Sequence, residues 1–167
     1  YFGNGTEESD SNEFGPNVEF DGFGLGIWAA RLAGRTDMNA NAPVLRSLID
    51  STGLVRPDSS IWEVHWNGQQ KRYAYTTIAA ARGLCDANDA STALSLRNAL
   101  IKHLALPTGG IAQSYEELNG GKPARDAAVV EAINFGLVNP QGALAQRALL
   151  EFESLRVPSK RGFFRND

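Results

Sequence analysis

Cys85 is the only cysteine in 167 residues. No intrachain disulfide can form, so the fold must rest on its core and not on covalent staples. One cysteine and two histidines leave too few soft ligands for a structural zinc site. Within its apolar helical run, Cys85 reads as a small core hydrophobe and not as a nucleophile. Bases are missing from Tyr1 to Ala30, where six acids stand, and the net charge of the chain is −3. That balance argues against a nucleic-acid partner, which would call for a basic face. No apolar run is long enough to cross a bilayer, so no membrane partner is expected. No secretory leader is visible from Tyr1 onward, and no compartment is assigned. Alternating apolar and polar runs are also scarce, which leaves little room for a β architecture.

What is present is ordinary globular material, 43% hydrophobic and 21% charged, in an amount that fits one domain with a real core. Residues 1–20 are rich in Gly, Asn, Ser and acids and read as loop. "DSNEFG" has the outline of a calcium loop, but Phe14 stands where an oxygen ligand is needed and Asp21 replaces the closing Glu, so no metal is expected. Residues 21–156 carry the helical period. The first helix places Phe23, Ile27, Ala30 and Leu32 on one stripe and stops at Gly34. A second runs from Ala42 to Gly53 with Pro43 in its first turn. After a loop from Leu54 to about Arg72 comes the small-residue helix "YAYTTIAAARGLCDAN". Asp89 then caps a helix that buries Leu94, Leu100, Ile101 and Leu104. A glycine-rich connection leads to "ARDAAVVEAINFGLV", with Val130, Ile133 and Leu137 inward. The last helix has Asn139 as cap and Pro140 at its first position. The tail, residues 157–167, does not read as a closing element. The expected fold class is all-α: about six helices in pairs.

Three segments carry a resemblance. "NVEFDGFGLGIWA" (17–29) resembles the part of glycoside hydrolase family 15 in which an Asp-Gly pair opens an inner helix. "SSIWEVHWNGQQKRYAYTTIAAARGL" (59–84) resembles that family's Trp-Glu catalytic loop and the helix after it. "GGKPARDAAVVEAINFGLVNP" (120–140) is similar to a third, Asp-led helix of the family. The family holds glucoamylases, glucodextranases and some trehalases. The resemblance implies an (α/α)6 toroid, of which this chain would be about half, with the remainder of the catalytic domain or another chain as its partner.

The resemblance also implies an inverting hydrolysis of α-linked glucosides or glucans, with no cofactor. Glu63 matches the general acid. Asp21 matches a residue that holds hydroxyls of the non-reducing sugar. Trp62 and Trp66 offer flat apolar faces to a sugar ring, and His65 stands between them as a further candidate for substrate contact. Two positions depart from the pattern: Val64 follows the acid where many members carry a second carboxylate, and Phe20 replaces an Arg found before the Asp-Gly pair in fungal members. No residue of this chain is matched to the general base. An inverting site needs two carboxyl groups about 6.5–9.5 Å apart with a water between them. An acid beside an indole, like Glu63 beside Trp62, suits the protonated partner, because desolvation raises its pKa.

The bottom-up reading supplies alternatives. Asp21 is also placed as a helix cap, and Asp126 as a first-turn acid that offsets the helix dipole. Glu116 and Glu117 read as a solvated turn, while Lys71 and Arg72 are candidates to line a cleft. A family-15-like toroid acting as a regulatory or scaffolding subunit is the competing reading. A helical interaction module is the third, and it predicts no cleft near Glu63.

Overall fold

The computed structural model of the chain describes residues 11–12, 15–16, 18–61, 70–159 and 161–165. It is helix-rich. The helices are α1 (Asp21–Leu32), α2 (Ala42–Ser47), α3 (Ala74–Asp86), α4 (Ala90–Leu104), α5 (Tyr115–Asn119), α6 (Glu131–Asn134) and α7 (Ala143–Ser154). Single 3₁₀ segments, Asp37–Asn41 and Ala127–Val130, lead into α2 and α6. The described strand pairing is a two-residue ribbon, Ser11–Asn12 antiparallel to Gly15–Pro16, together with isolated bridges.

Helices α1 and α3 meet backbone to backbone. A Cβ added at Gly24 would lie 2.2 Å from the Ala79 carbonyl oxygen, and one added at Gly83 would lie 2.6 Å from the Gly24 Cα. Only glycine permits this approach. The small residues of α3 that the sequence places in one run, Ala79, Ala80 and Ala81, are all buried. The same contact fixes direction. Phe20, just before α1, and Thr76, in the first turn of α3, both bond to the Asp58 carboxylate, while Gly24 meets Ala79 and Gly83 further along. The two helices therefore run side by side in the same sense, with their N-terminal ends together.

A tight turn through Asn88, at φ 65, returns the chain antiparallel along α3 as α4. Asp89 caps α4 as expected, accepting from the Thr92 amide, and is tied to Arg46 at 3.0 Å. Ile27, Leu45, Leu54, Ile78, Leu84, Leu96, Leu100 and Leu104 are fully buried at the centre. Trp28 of α1 leans on Phe135, after α6, with ring centroids 5.0 Å apart.

Several expectations are corrected. Leu32 and Leu94 are 69% and 55% exposed: Leu32 is the last residue of α1, and Leu94 borders an open hollow beside α3. Cys85 is exposed, not core. The second helix ends at Ser47 because the Asp50 side chain captures the Thr52 amide and hydroxyl, and Ile49 pairs with Val55. Such local side-chain bonds compete with helix. Val129 and Ala132, not Val130 and Ile133, are buried, because the 3₁₀ turn shifts the register. The last helix starts at Ala143, and Asn139 holds a turn before it through the Gln141 amide. The tail does close on the body. Phe163 stacks on Phe152 at 4.1 Å, and the Arg165 carbonyl accepts from the Ala127 amide.

The glycine contact yields a paired test by thermal or urea unfolding. Gly24→Ala should cost about 1–3 kcal/mol or more, the range for overpacking, since the obstacle is backbone and cannot rotate away. Gly22→Ala, where nothing lies within 4 Å, should be neutral or stabilise by up to about 1 kcal/mol through helix propensity.

A candidate functional site at the helix N-termini

The buried polar and charged residues of the described chain are Asp21, Asp58, Ser59, Ser60, Thr76, Thr77, Gln113, Ser114 and Asp126. They come from five stretches of sequence that meet around the first turns of α1, α3 and the Ala127–Val130 segment. Backbone bonds stitch these starts together. The Ala74 amide donates to the Gln113 carbonyl, and the Gln113 amide donates to the Ala124 carbonyl. Tyr73 bridges Ser114, and Asp126 caps the next turn by accepting from the Ala128 amide at 2.8 Å. Helix N-termini gathered at one rim bring their positive dipole ends together, a setting that suits oxygen-rich or anionic groups.

Asp21 sits in this rim, 2% exposed. Its Oδ1 accepts from the Gly22 amide at 2.9 Å, and its Oδ2 is buried with no hydrogen-bond partner among the described residues. Burial, and then the charge of Glu19, push its pKa up to about 6. A buried carboxylate oxygen without a donor is costly, and a donor from a ligand hydroxyl would satisfy it. The expected cap role is corrected: Asp21 is the first residue of α1, Phe20 holds the cap position, and no side chain caps this helix.

Asp58 is the residue that sequence reading passed over. It is fully buried and accepts from the Phe20 amide at 3.0 Å and from Thr76 Oγ1 at 3.0 and 3.1 Å. Burial pushes its pKa up to about 7, against the bonds from Phe20 and Thr76, and the neighbouring charge of Asp21 adds to the rise. The one available signal was position: an acid between proline and two serines reads as a turn, and only its burial gives it another meaning.

The loop that begins at Asp58 leaves and returns at this rim. Asp58 and Lys71 exchange both backbone bonds at 3.0 Å. On the returning side, Lys71 pairs with Glu117 at 2.6 Å. Arg72 reaches Asp50 and Glu116, each at 2.6 Å, and its amide donates to Glu116 as well. Glu116 and Glu117 are therefore staples for the loop and not a solvated turn, and Lys71 and Arg72 spend their charge on them. Ser60 holds φ 50 at the loop's start, and the Arg165 guanidinium donates to the Ile61 carbonyl. Trp62, Glu63, His65 and Trp66 lie outside the described residues. Asp21 is the one predicted site residue that the structure places.

Among the described residues no cluster of three or more His, Cys, Asp or Glu is disposed to hold a metal, and no helix is long and apolar enough to cross a membrane. A hollow lined by Glu19, Gly22, Phe23, Met38 and Asn41 opens beside the start of α1. An apolar hollow bounded by Ala81, Leu94, Phe135 and Leu137 lies toward the other end of α3 and has no carboxylate in its walls. Comparison with protein-family models, curated proteins and solved structures found no match for this chain.

The two raised carboxyl groups give stability a definite pH dependence. Each binds its proton more tightly folded than unfolded, so the folded state carries the extra protons between the unfolded value near 3.8 and the folded values of about 6 and 7. Stability should fall as pH rises through that window and level off above it. Melting curves from pH 4 to pH 8 check the sign. Asp58→Asn removes one of the two ionisations, and should flatten the profile between about pH 4 and pH 7.

Proposed function

We propose that the chain is part of the catalytic domain of an inverting glycoside hydrolase acting on α-linked glucosides, with Glu63 as general acid and Asp21 as a ligand for sugar hydroxyls. The observation that carries this reading is the common base of two separate motifs. The Asp-Gly start of α1 and the base of the Trp-Glu loop share the Asp58 carboxylate, so residues nearly forty positions apart in sequence serve one rim. Several other features support the same reading. Neighbouring helices α1 and α3 run in one sense, with α4 returning antiparallel outside them, as inner and outer helices of an (α/α)6 toroid do. The Ala127–Val130 segment with α6 stands as the third inner element and α7 as its outer mate. On this reading the three hairpins are half of the ring, and the exposed Leu149 and Leu150 of α7 are surface available to the other half.

The chemistry follows from the parts. Asp21 Oδ2, buried and lacking a donor among the described residues, is the acceptor offered to a hydroxyl of the terminal sugar at the rim. On this reading Glu63 is the acid that gives its proton to the glycosidic oxygen as the bond breaks. A second carboxylate, supplied from outside this chain, activates the attacking water on the opposite face of the ring.

Glu63→Gln in the full-length protein tests the assignment. It should keep substrate affinity and lower turnover of natural α-glucosides by about 10²–10⁴-fold, the usual worth of a general acid. Turnover of a glucosyl fluoride, whose leaving group needs no proton, should fall far less. Natural-substrate turnover within a few-fold of wild type would remove Glu63 from the mechanism and the hydrolase reading with it.

A further inference from the structure

Asp58 is fully buried and Asp21 is 2% exposed, and the two acids meet at one joint. Asp58 accepts from the amide of Phe20, the residue next to Asp21, at 3.0 Å, and from the Thr76 hydroxyl of α3. The Ser59 amide donates to the Val18 carbonyl at 2.7 Å. Residues 18–20, the lead into α1, are thus fastened to the chain around Asp58. The groups that face the pair do not neutralise it. Glu19 adds its charge beside Asp21. From the α3 side, Tyr73 senses Asp58, and Tyr75 senses Asp21, Glu131 and Asp126; burial pushes both phenols up, so they stay neutral. Lys71, bonded to Asp58 through the backbone, gives its ammonium to Glu117, and the Arg56 guanidinium lies over the Phe20 ring. Among the described residues neither Asp21 nor Asp58 takes part in an ion pair.

Two like charges repel strongly where water is excluded and no counter-ion stands by. The lead also has somewhere to go. Helix α1 is pinned further along, where Gly24 meets Ala79, but nothing lies within 4 Å of a Cβ added at Gly22. A hollow lined by Glu19, Gly22, Phe23, Met38 and Asn41 opens beside that turn. We propose that Asp21 and Asp58 form a pH-operated latch at the start of α1: it holds residues 18–20 against the Asp58 joint while at least one of the two acids is protonated, and charging both releases that lead while the α3–α4 hairpin stays folded. Burial is the main cause of the raised pKa values, about 6 for Asp21 and about 7 for Asp58, so the latch works close to neutrality. The sign follows from linkage: protons favour the closed joint, and that advantage is lost as pH rises through these values. The proposal concerns the fold alone and does not require the hydrolase reading.

The test is site-resolved amide hydrogen exchange on the full-length protein from pH 5 to pH 8, each rate divided by the intrinsic rate at that pH. Protection of the Phe20 and Ser59 amides should fall by about 10²-fold over the range, since each pKa unit of difference between closed and open joint is worth about tenfold. At pH 8 their exchange should be insensitive to low urea, the mark of a local opening, whereas urea should speed the amides of Leu96 and Leu100 in α4, which exchange through wider unfolding. Asp58→Asn can accept from the Phe20 amide through Oδ1 and donate to Thr76 Oγ1 through Nδ2. It should keep Phe20 protected and reduce the pH dependence to about tenfold or less, the part left to Asp21. Protection of Phe20 and Ser59 that is flat from pH 5 to pH 8 would overturn the proposal. So would a urea dependence at pH 8 equal to that of Leu96 and Leu100, which would mean that the joint opens only with the whole fold. Undiminished pH dependence in Asp58→Asn would overturn it as well. The pH and urea profiles of the wild-type protein decide the matter alone if Asp58→Asn does not accumulate as folded protein.

Discussion

The arrangement depends on one contact in which no side chain takes part. Gly24 of α1 and Gly83 of α3 meet through backbone atoms, at a distance that any Cβ would violate. Because the helices touch so closely and run in the same sense, their first turns are held within reach of a single carboxylate. The polar rim is thus a consequence of packing lower down the same two helices.

The loop base shows two kinds of attachment. On the outgoing side a buried carboxylate accepts neutral donors, and the cost of burying it appears in a pKa lifted to about 7. On the returning side Lys71 and Arg72 use partly exposed ion pairs. Asp50 shows how the second kind differs. Burial opposes its charge, but the bonds from Thr52 and Arg72 prevail and hold its pKa below the ordinary carboxylate value. One end of the loop is fixed by geometry that water cannot replace, while the other is fixed by charges that water partly screens. That contrast is why Asp58, rather than the more conspicuous Glu116 and Glu117, is the informative residue.

Legibility in the sequence followed the range of the signal. Asp89 was readable as a cap because its partner, Thr92, is three residues away. Gly34 was readable as a stop: it follows α1 directly after Ala33 and has positive φ, 72. Leu94 was misread because amphipathic spacing gives a stripe's direction only to within a residue or so, and the packing of α3 decided it. The end of the second helix was missed because a side chain, Asp50, outcompeted the helix for the Thr52 amide. Asp58 was invisible for a different reason. Its partners, Phe20 and Thr76, lie far off in sequence, and nothing in "RPDSS" says that water will be excluded there. Asp21 was found through the Asp-Gly motif, but its buried, unsatisfied oxygen is a property of the folded rim alone.

The glycine contact also bears on the order in which the chain acquires its shape. Helices α3 and α4 are joined by a tight turn and can pair as a local hairpin, whereas Gly24 and Gly83 are about 60 residues apart. Closing a loop of that length costs roughly 4 kcal/mol of chain entropy before any contact repays it. The hairpin is therefore expected to form ahead of the docking of α1. Until α1 docks, Asp21 and Asp58 are ordinary hydrated acids with ordinary proton affinities. The acquisition of their unusual protonation belongs to the last long-range step, so proton uptake near neutral pH would mark the moment at which the chain completes its rim.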